Sequence, residues 1–554
     1  MVDTSNLISQ FYAKIGGVDA SAEFMNDLLS VTVETSLHLP DVAMLVLHDP
    51  RLAWIDDDRL APGTTIAIAA KAGVGAQPLF EGEIVEIEPD FGPGTHRLMV
   101  RAFDRLHRLA RGRHVRSFLN VSDGDLVRKI AQEVGLQAQV GPTSQIHPYV
   151  LQHAETNLEF LRGRAAMLGY LLFVRGRTLH CEPPSAAGTP LELEWGVTLS
   201  AFHPRLTTVE QVNGVTVRGW NPDDREEIVG QAERGRGAPQ IGDSRDGGEV
   251  ARAAFGLDAQ DLITNRTVRS QAEADQLAQA AADRVAGHYI EAEGTCGGNP
   301  AIRAGAALHL GAVGKRFGGT YFVTSATHLY NGNEGYSTQF SVSGHQPATL
   351  LNLLQAPCDS VPATSGLLMI GIVTDNQDPV NQGRVKVLFP SLSHDHASNW
   401  ARVVAPGAGH TRGIVFLPEV NDEVLVGFEQ GDLHYPYILG GLWNGQDELP
   451  RKVEPPRSGR VPKRVIGSRA GHTIVFDDSD GAGGITIEDA RGNTITLDNG
   501  SGAVTIEATG NATIKAGGTL TLEAQGQVEL KGTGVTIDGG AATVDVKGSI
   551  INLN

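Results

Sequence analysis

Apolar and polar positions in the last part of the chain repeat on a period of eight. Glycine recurs at Gly502, Gly510, Gly518, Gly526 and Gly534, and between the glycines run the spaced apolar pairs Val504-x-Ile506, Ala512-x-Ile514, Leu520-x-Leu522 and Val528-x-Leu530. The pairing continues in looser register at Ile485-x-Ile487, Ile495-x-Leu497, Val535-x-Ile537, Val544-x-Val546 and Ile551-x-Leu553. Residues two apart on a strand share a face, so each octad predicts a short strand with two side chains inward and a turn at the glycine. Glu507, Lys515, Glu523 and Lys531 keep the same interval on the outward side. The pattern is that of a β-solenoid. A single-chain solenoid needs about 20 or more residues per coil, which would leave this tail only about three coils with open ends. If three copies each supply one face, every octad belongs to a complete layer. The expected form is an intertwined triple-stranded β-helix in a homotrimer, with Val504, Ile506, Ile514, Leu520, Leu522, Val528 and Leu530 in its core. Each such side chain contributes roughly 1.5–3 kcal/mol on burial. After Phe476 no aromatic, Cys, His or Pro widens the core or breaks the ladder. A flexible Gly/Thr-rich tail is the alternative, but disorder has no reason to keep the apolar pairs in register.

Upstream the periodicity changes. Residues 79–87 and Arg97–Phe103 alternate on either side of Gly92-Pro93-Gly94, which predicts a hairpin in a first β domain over residues 1–118. Residues 119–200 read as a small α/β insert. Ser122 and Asp125 cap a helix through Leu126, Val127, Ile130, Ala131 and Val134 that stops at Gly135, and Thr156 and Glu159 open a second that ends at Gly169. Strands return in a second β domain over residues 201–355, interrupted by one alanine-rich helix capped by Ser270 and Glu273. A connector follows at residues 357–362. Residues 366–445 are short strands broken by Gly and Pro, the size of a five-stranded OB-type barrel. Residues 446–470, with Pro450, Pro455, Pro456 and Pro462, predict an extended linker into the octads of residues 471–554.

Charge and composition narrow the function classes. A net charge of −19 argues against a general nucleic-acid or anionic-membrane binder. Cys181, Cys296 and Cys358 are few and far apart, which suits a reducing compartment, and the first residues carry neither the basic nor the apolar region of a secretory signal. Synthesis in the cytoplasm is the expectation. Seven arginines fall between Arg97 and Arg116; without interleaved aromatics they read as partners for acidic residues of neighbouring subunits rather than as a nucleic-acid platform. Gly407-Ala408-Gly409-His410-Thr411-Arg412-Gly413 precedes an expected strand, Ile414-Val415-Phe416-Leu417, and not the helix of a dinucleotide site. Gly311-Ala312-Val313-Gly314-Lys315 lacks the spacing of a phosphate loop, and His394-Asp395-His396 lacks a third ligand. No catalytic residue, cofactor or metal is expected.

One segment supports a closer identification. The run Asp378-Pro379, Gly383-Arg384-Val385-x-Val387, Trp400-Ala401-Arg402-Val403, Arg412-Gly413, Leu417-Pro418-Glu419, Asp422-Glu423-Val424-x-Val426, Phe428, Gly431-Asp432, Pro436 and Gly440 resembles the OB domain of the valine-glycine-repeat spike family. That family comprises the VgrG proteins of type VI secretion, the central spikes of contractile phages and the spikes of extracellular contractile injection particles. Ala102-Phe103-Asp104-Arg105-Leu106-His107 and the helix from Leu126 to Val134 are similar to the late-control D type tail hub. The resemblance implies a fold that is mainly β with a small α/β insert: tail-hub β-barrel domains, an OB-fold barrel and a C-terminal intertwined β-helix needle. It also implies a structural, non-enzymatic hub and spike, with inner tube and baseplate proteins as partners, effector cargo as an option, no nucleic acid, and a target membrane met only during injection. The chain would be built into a particle baseplate and, in the favoured reading of an extracellular particle, released. Some phage spikes carry a lysozyme domain between barrel and needle, for which residues 446–471 leave no room. Others end in a His-x-His iron site, and this chain has no histidine after His472. A separate PAAR-type tip protein is therefore expected to dock at Ile550, Ile551, Leu553 and Asn554.

Overall fold

A computed structural model describes residues 10–71, 75–92, 96–184, 187–236, 240–242, 245–332, 335–342, 368–450, 452–456, 459–481 and 483–552. Pro93 and Gly94 of the expected turn, the connector at residues 357–362, and Leu553 and Asn554 lie outside these. The chain divides into two compact units, one reaching Leu442 and one starting at Trp443.

In the first unit, strands expected in two separate β domains share one eleven-stranded sheet. The seam is antiparallel pairing of Leu28–Ser36 with Ser325–Asn331, running from Ser36 opposite Ser325 to Ser30 opposite Asn331. Alternation explains how it is buried: Val31 and Val33 turn inward on one strand, and Ala43, Leu45 and Leu47 do so on its neighbour Val42–His48. The expected hairpin is present as Ala76–Asp90 paired with Arg97–Phe103, with Ile87 opposite Val100.

The α/β insert has its own core of Leu126, Ile130, Leu161, Leu172 and Leu179. Both of its helices begin in full capping boxes, Ser122 with Asp125 and Thr156 with Glu159. Gly169 ends the second helix at φ 69°, and a Cβ there would stand 3.2 Å from the Ala280 side chain, so backbone handedness and close packing both select glycine. Ala280 belongs to the helix Gln271–Gly287, whose small side chains Ala274, Ala278, Ala281 and Ala282 lie on the sheet of Glu226–Ala232, Gly214–Asn221 and Gln260–Ile263. Contrary to expectation this is not the only helix of that region. Gly247–Phe255 is a second, opened by the capping box Asp246 and Glu249. That signal was present in the sequence, but two glycines at the start masked it.

Five of the seven arginines from Arg97 to Arg116 find acids in their own chain. Arg101 pairs with Glu86, Arg105 lies 2.9 Å from Glu81, Arg108 pairs with Glu83, Arg113 lies 3.3 Å from Glu159, and Arg116 lies 2.8 Å from Glu133. Burial pushes the Glu83 carboxyl up, but hydrogen bonds from Arg108 and His107 outweigh it and hold the group below its ordinary range. Arg105 and Arg108 also donate to the Gly176 and Val134 carbonyls, at 2.8 and 2.9 Å, and so join the hub sheet to the insert.

The OB barrel is the five-stranded sheet of Lys386–Leu388, Met369–Asp375, Glu423–Phe428, Pro436–Gly441 and Arg402–Val403, around Val373, Val387, Val424, Val426 and Ile438. Residues 414–417 do not form the expected strand; they lie outside any regular element and are exposed, beyond a small hairpin, Ala408–Gly409 with Arg412–Gly413. The barrel packs on the hub through Tyr149, Leu151 and Leu433. The Leu151 N–H donates to His434 Nε2 at 2.9 Å, and Arg269 pairs with Glu429, which also accepts from the Tyr437 hydroxyl at 2.6 Å.

The second unit is a meander of five antiparallel strands, Lys463–Gly467, Thr473–Asp477, Gly484–Glu488, Thr494–Asp498 and Val504–Glu507. Part of the expected linker, Lys463–Gly467, is thus a sheet strand, because Val465 and Ile466 find partners in Val475 and Ile474.

His328 sits at the hub seam opposite Val33, fully buried, with Nδ1 2.9 Å from the Tyr336 hydroxyl and 3.2 Å from that of Thr338. Burial pushes its pKa down to about 4. The fold holds a neutral ring where the unfolded chain, with a pKa of about 6.5, takes up a proton. Stability from this site is therefore complete above about pH 6.5 and is lost as pH falls through about 4. Denaturant titrations across that window should lose up to roughly 3 kcal/mol in the parent and show a flatter slope in His328→Asn; equal slopes would dismiss the role of this ring.

Candidate functional site: the apolar face of the C-terminal unit

The meander aligns its apolar residues in columns across the strands. Ile474 lies opposite Ile487, which lies opposite Ile495, which lies opposite Ile506; beside them run Phe476, Ile485, Leu497 and Val504. Period-two alternation sends Val475, Thr486, Thr496 and Thr505 to the other face, where Val475 is buried. Asx turns close the hairpins. Asp489 accepts from the Asn493 side chain at 2.6 Å and from the N–H groups of Arg491 and Asn493 at 2.8 and 2.9 Å, which holds its carboxyl below the usual range.

The apolar columns are half-buried at Ile474 and Ile485 and open from there to the last strand in the single chain. Exposure is 40% at Ile495 and 43% at Leu497, rising to 67% at Val504 and 70% at Ile506. Among the described residues no strand follows Glu507, and the remaining core candidates stay open: Ile514, Leu520, Leu522, Val528 and Leu530 are all exposed. One chain therefore brings Val504 and Ile506 beside Leu497 and Ile495 but does not bring the others together. Of the tip-docking candidates, Ile550 and Ile551 are exposed as well. An apolar row of this length, at roughly 1.5–3 kcal/mol per buried side chain, is the mark of an association surface. Strand Val504–Glu507 also leaves its far edge unpaired, ready to accept a strand. No group of three metal-ligating side chains occurs among the described residues.

The barrel motif has a physical role that sequence alone did not assign. Asp378 accepts from the Gln382 N–H at 2.8 Å and from the Arg384 guanidinium at 2.7 and 3.0 Å; that guanidinium holds its carboxyl well below the usual range. The loop closes through Gly383 at φ 72°, and Lys386 lies 4.9 Å from the centre of the Trp400 ring. In the Gly431-Asp432 segment the Asp432 carboxylate orients His434, with Nδ1 at 2.6 Å, so that Nε2 meets the hub. The hub residues of this junction, Tyr149, Leu151 and Arg269, were not singled out in the sequence. They are ordinary core and surface types, and only their partners mark them.

Comparison with known proteins matches three successive segments. Residues 10–331 match the family model described as the Alg8 N-terminal domain, residues 369–443 the type VI secretion system/phage-baseplate injector OB domain, and residues 463–519 the phage baseplate V C-terminal trimerisation domain. A type VI secretion system spike protein of Pseudomonas aeruginosa, VgrG1c, is 28% identical over 155 residues, covering 26% of this chain and 21% of that protein. The chain thus matches about a fifth of the length of this relative. Among solved structures, the Escherichia coli c3393 protein, a component of the type VI secretion system, shares the fold with a TM-score of 0.51 at 13% identity, over 78% of this chain and 99% of that one. A chain of the Francisella PdpA-VgrG complex, half-lidded, gives 0.53 at 9% identity over 90% and 88%. The chain belongs to the Alg8 N-terminal-domain family, whose model spans more than half of it, and by its barrel and tail to the VgrG hub-and-spike family.

Proposed function

We propose that three copies of this chain form the hub and spike of a contractile injection machine. The observation that carries this reading is the uncovered apolar face of the C-terminal unit, in a chain whose modules follow the order hub, OB barrel, trimerisation region. Threefold association would bury Val504, Ile506, Ile514, Leu520, Leu522, Val528 and Leu530 on a common axis and pair the open strand edge. The hub would engage inner tube and baseplate proteins, and the needle would meet a target membrane only during injection, with effector cargo as an option.

The work is mechanical. Sheath contraction would load the molecule along its axis, so stiffness matters, and the shared hub sheet and the hub-to-barrel contacts support that role. Residues 443–462 hold no added folded domain between barrel and sheet, which favours a spike of an extracellular particle over a phage spike or a type VI VgrG carrying an enzyme. Residues 550–554 are the segment on which a separate PAAR-type tip protein would add a strand, supported by 79% exposure of Ile550 and 51% of Ile551.

Light scattering on the full chain should give a trimer. Ile514→Asp or Leu522→Asp would gather three carboxylates on a dry axis at several kcal/mol per ion and should abolish the trimer, whereas Thr513→Asp on the opposite face should cost under about 1 kcal/mol. Equal losses would mean that the faces are reversed. Deleting residues 549–554 should leave the trimer intact and end co-purification with the tip protein; undiminished tip binding would reject the docking segment.

A further inference from the structure

The residue that follows each apolar pair from Ile485-x-Ile487 to Val544-x-Val546 carries a charge, and from Glu507 to Lys547 the sign of that charge alternates. The series is Glu507, Lys515, Glu523, Lys531, Asp538 and Lys547, and it holds its order even where the repeat slips from eight residues to seven and then nine. All six side chains are exposed in the single chain. Nothing in one chain requires five consecutive changes of sign. In the meander, where the equivalent residues are Glu488 and Asp498, both are acidic and the alternation is absent.

Strand sense accounts for the difference. In antiparallel pairing the end of one strand lies opposite the start of the next, so Glu488 faces Thr494 and Asp498 faces Gly484, and charges at this position never meet. Glu507 is the last residue so paired, again with Thr494. Among the described residues the last hydrogen bonds to the meander come from Thr509, whose N–H lies 2.8 Å from Asn493 Oδ1, and no strand follows. The alternation begins where antiparallel pairing within the chain ends.

We infer that Glu507, Lys515, Glu523, Lys531, Asp538 and Lys547 form an inter-chain charge ladder that fixes a stagger of one repeat between neighbouring copies of this chain. The inference rests on the trimer proposed above. If each repeat occupies one face of a threefold prism and the chain then turns to the next face one layer on, rotation by a third of a turn places repeat n of one chain beneath repeat n+1 of its neighbour. Both operations preserve strand direction, so strands stacked on a face run parallel, about 4.8 Å apart. Glu507 of one copy then adjoins Lys515 of the next, and each later step again sets an acid beside a base. Without the stagger, like charges would meet at every layer. Glu529, 2.8 Å from Lys531 in the same chain, adds a second acid beside that base.

Thiol cross-linking tests the stagger. With Cys358→Ser as background, Cys181 and Cys296 being buried, the double variant Glu507→Cys with Lys515→Cys should give a covalent trimer on a non-reducing gel with a short thiol-to-thiol reagent. Glu507→Cys alone should stay monomeric on the gel. Cross-linking of the single variant, cross-linking confined to one chain, or free thiols in an intact trimer would each overturn the ladder. Light scattering of the untreated background protein separates this from failure of the trimer itself, which would appear as a monomer. A second pair of variants reads the charge directly. Lys515→Glu with Lys531→Glu should lower the heat-dissociation midpoint, an effect that shrinks with added salt. Inverting all six signs (Glu507→Lys, Lys515→Glu, Glu523→Lys, Lys531→Glu, Asp538→Lys, Lys547→Glu) should recover most of the loss. A double variant as stable as the parent would reject the inference.

Discussion

An apolar sheet face that its own chain leaves in water is the constraint around which the C-terminal unit is organised. Ile474, Ile487, Ile495 and Ile506 stack across four strands on one side; Ile474 is half-buried and the other three are exposed. Beyond Glu507 the condition sharpens, since exposed apolar pairs continue while strand pairing within the chain stops. Backbone groups and apolar side chains then need the same remedy, strands from other copies. Winding chains about one axis meets both needs at once, and the shortening of the repeat to eight residues, without room for the five-residue Asx loops of the meander, fits that change of pairing.

The first unit is organised differently, by pairing of strands from distant parts of the chain. Its eleven-stranded sheet joins strands nearly 300 residues apart in sequence, with Val33 opposite His328 at the seam. Hydrogen bonds from Arg105 and Arg108 fasten the insert, while Tyr149, Leu151 and the Arg269–Glu429 pair fasten the barrel. The same physical logic explains the barrel motif: Asp378 and Arg384 clamp one loop and Asp432 sets the ring of His434. These residues are geometric supports, which suits a molecule whose proposed task is mechanical.

Local signals in the sequence were dependable where a short segment decides its own structure. The capping boxes at Ser122 and Thr156 gave two helix starts, and alternation gave the hairpin of Ala76–Asp90 with Arg97–Phe103. The same type of signal at Asp246 is obscured by Gly247 and Gly248, which argue against a helix, and Ile414 to Leu417 has a strand's composition although no neighbouring strand accepts it. Arginine partners could not be read at all. An acid such as Glu83 reaches Arg108 only after the chain has folded back, so the sequence could not distinguish partners in the same chain from partners in a neighbour.

The sequence by itself determined the octads, the apolar pairs and the order of modules, because periodicity and turn residues act over fewer than about ten positions. It also recorded the sign alternation from Glu507 to Lys547, whose meaning depended on strand direction. Only the tertiary structure decided that the two hub regions share a sheet, that Lys463–Gly467 joins the meander, and that antiparallel pairing ends at Glu507. Those choices turn on which distant backbone edges meet. Edge pairing depends on long-range geometry, and a hydrophobic pattern specifies which face must be covered but not which strand will cover it.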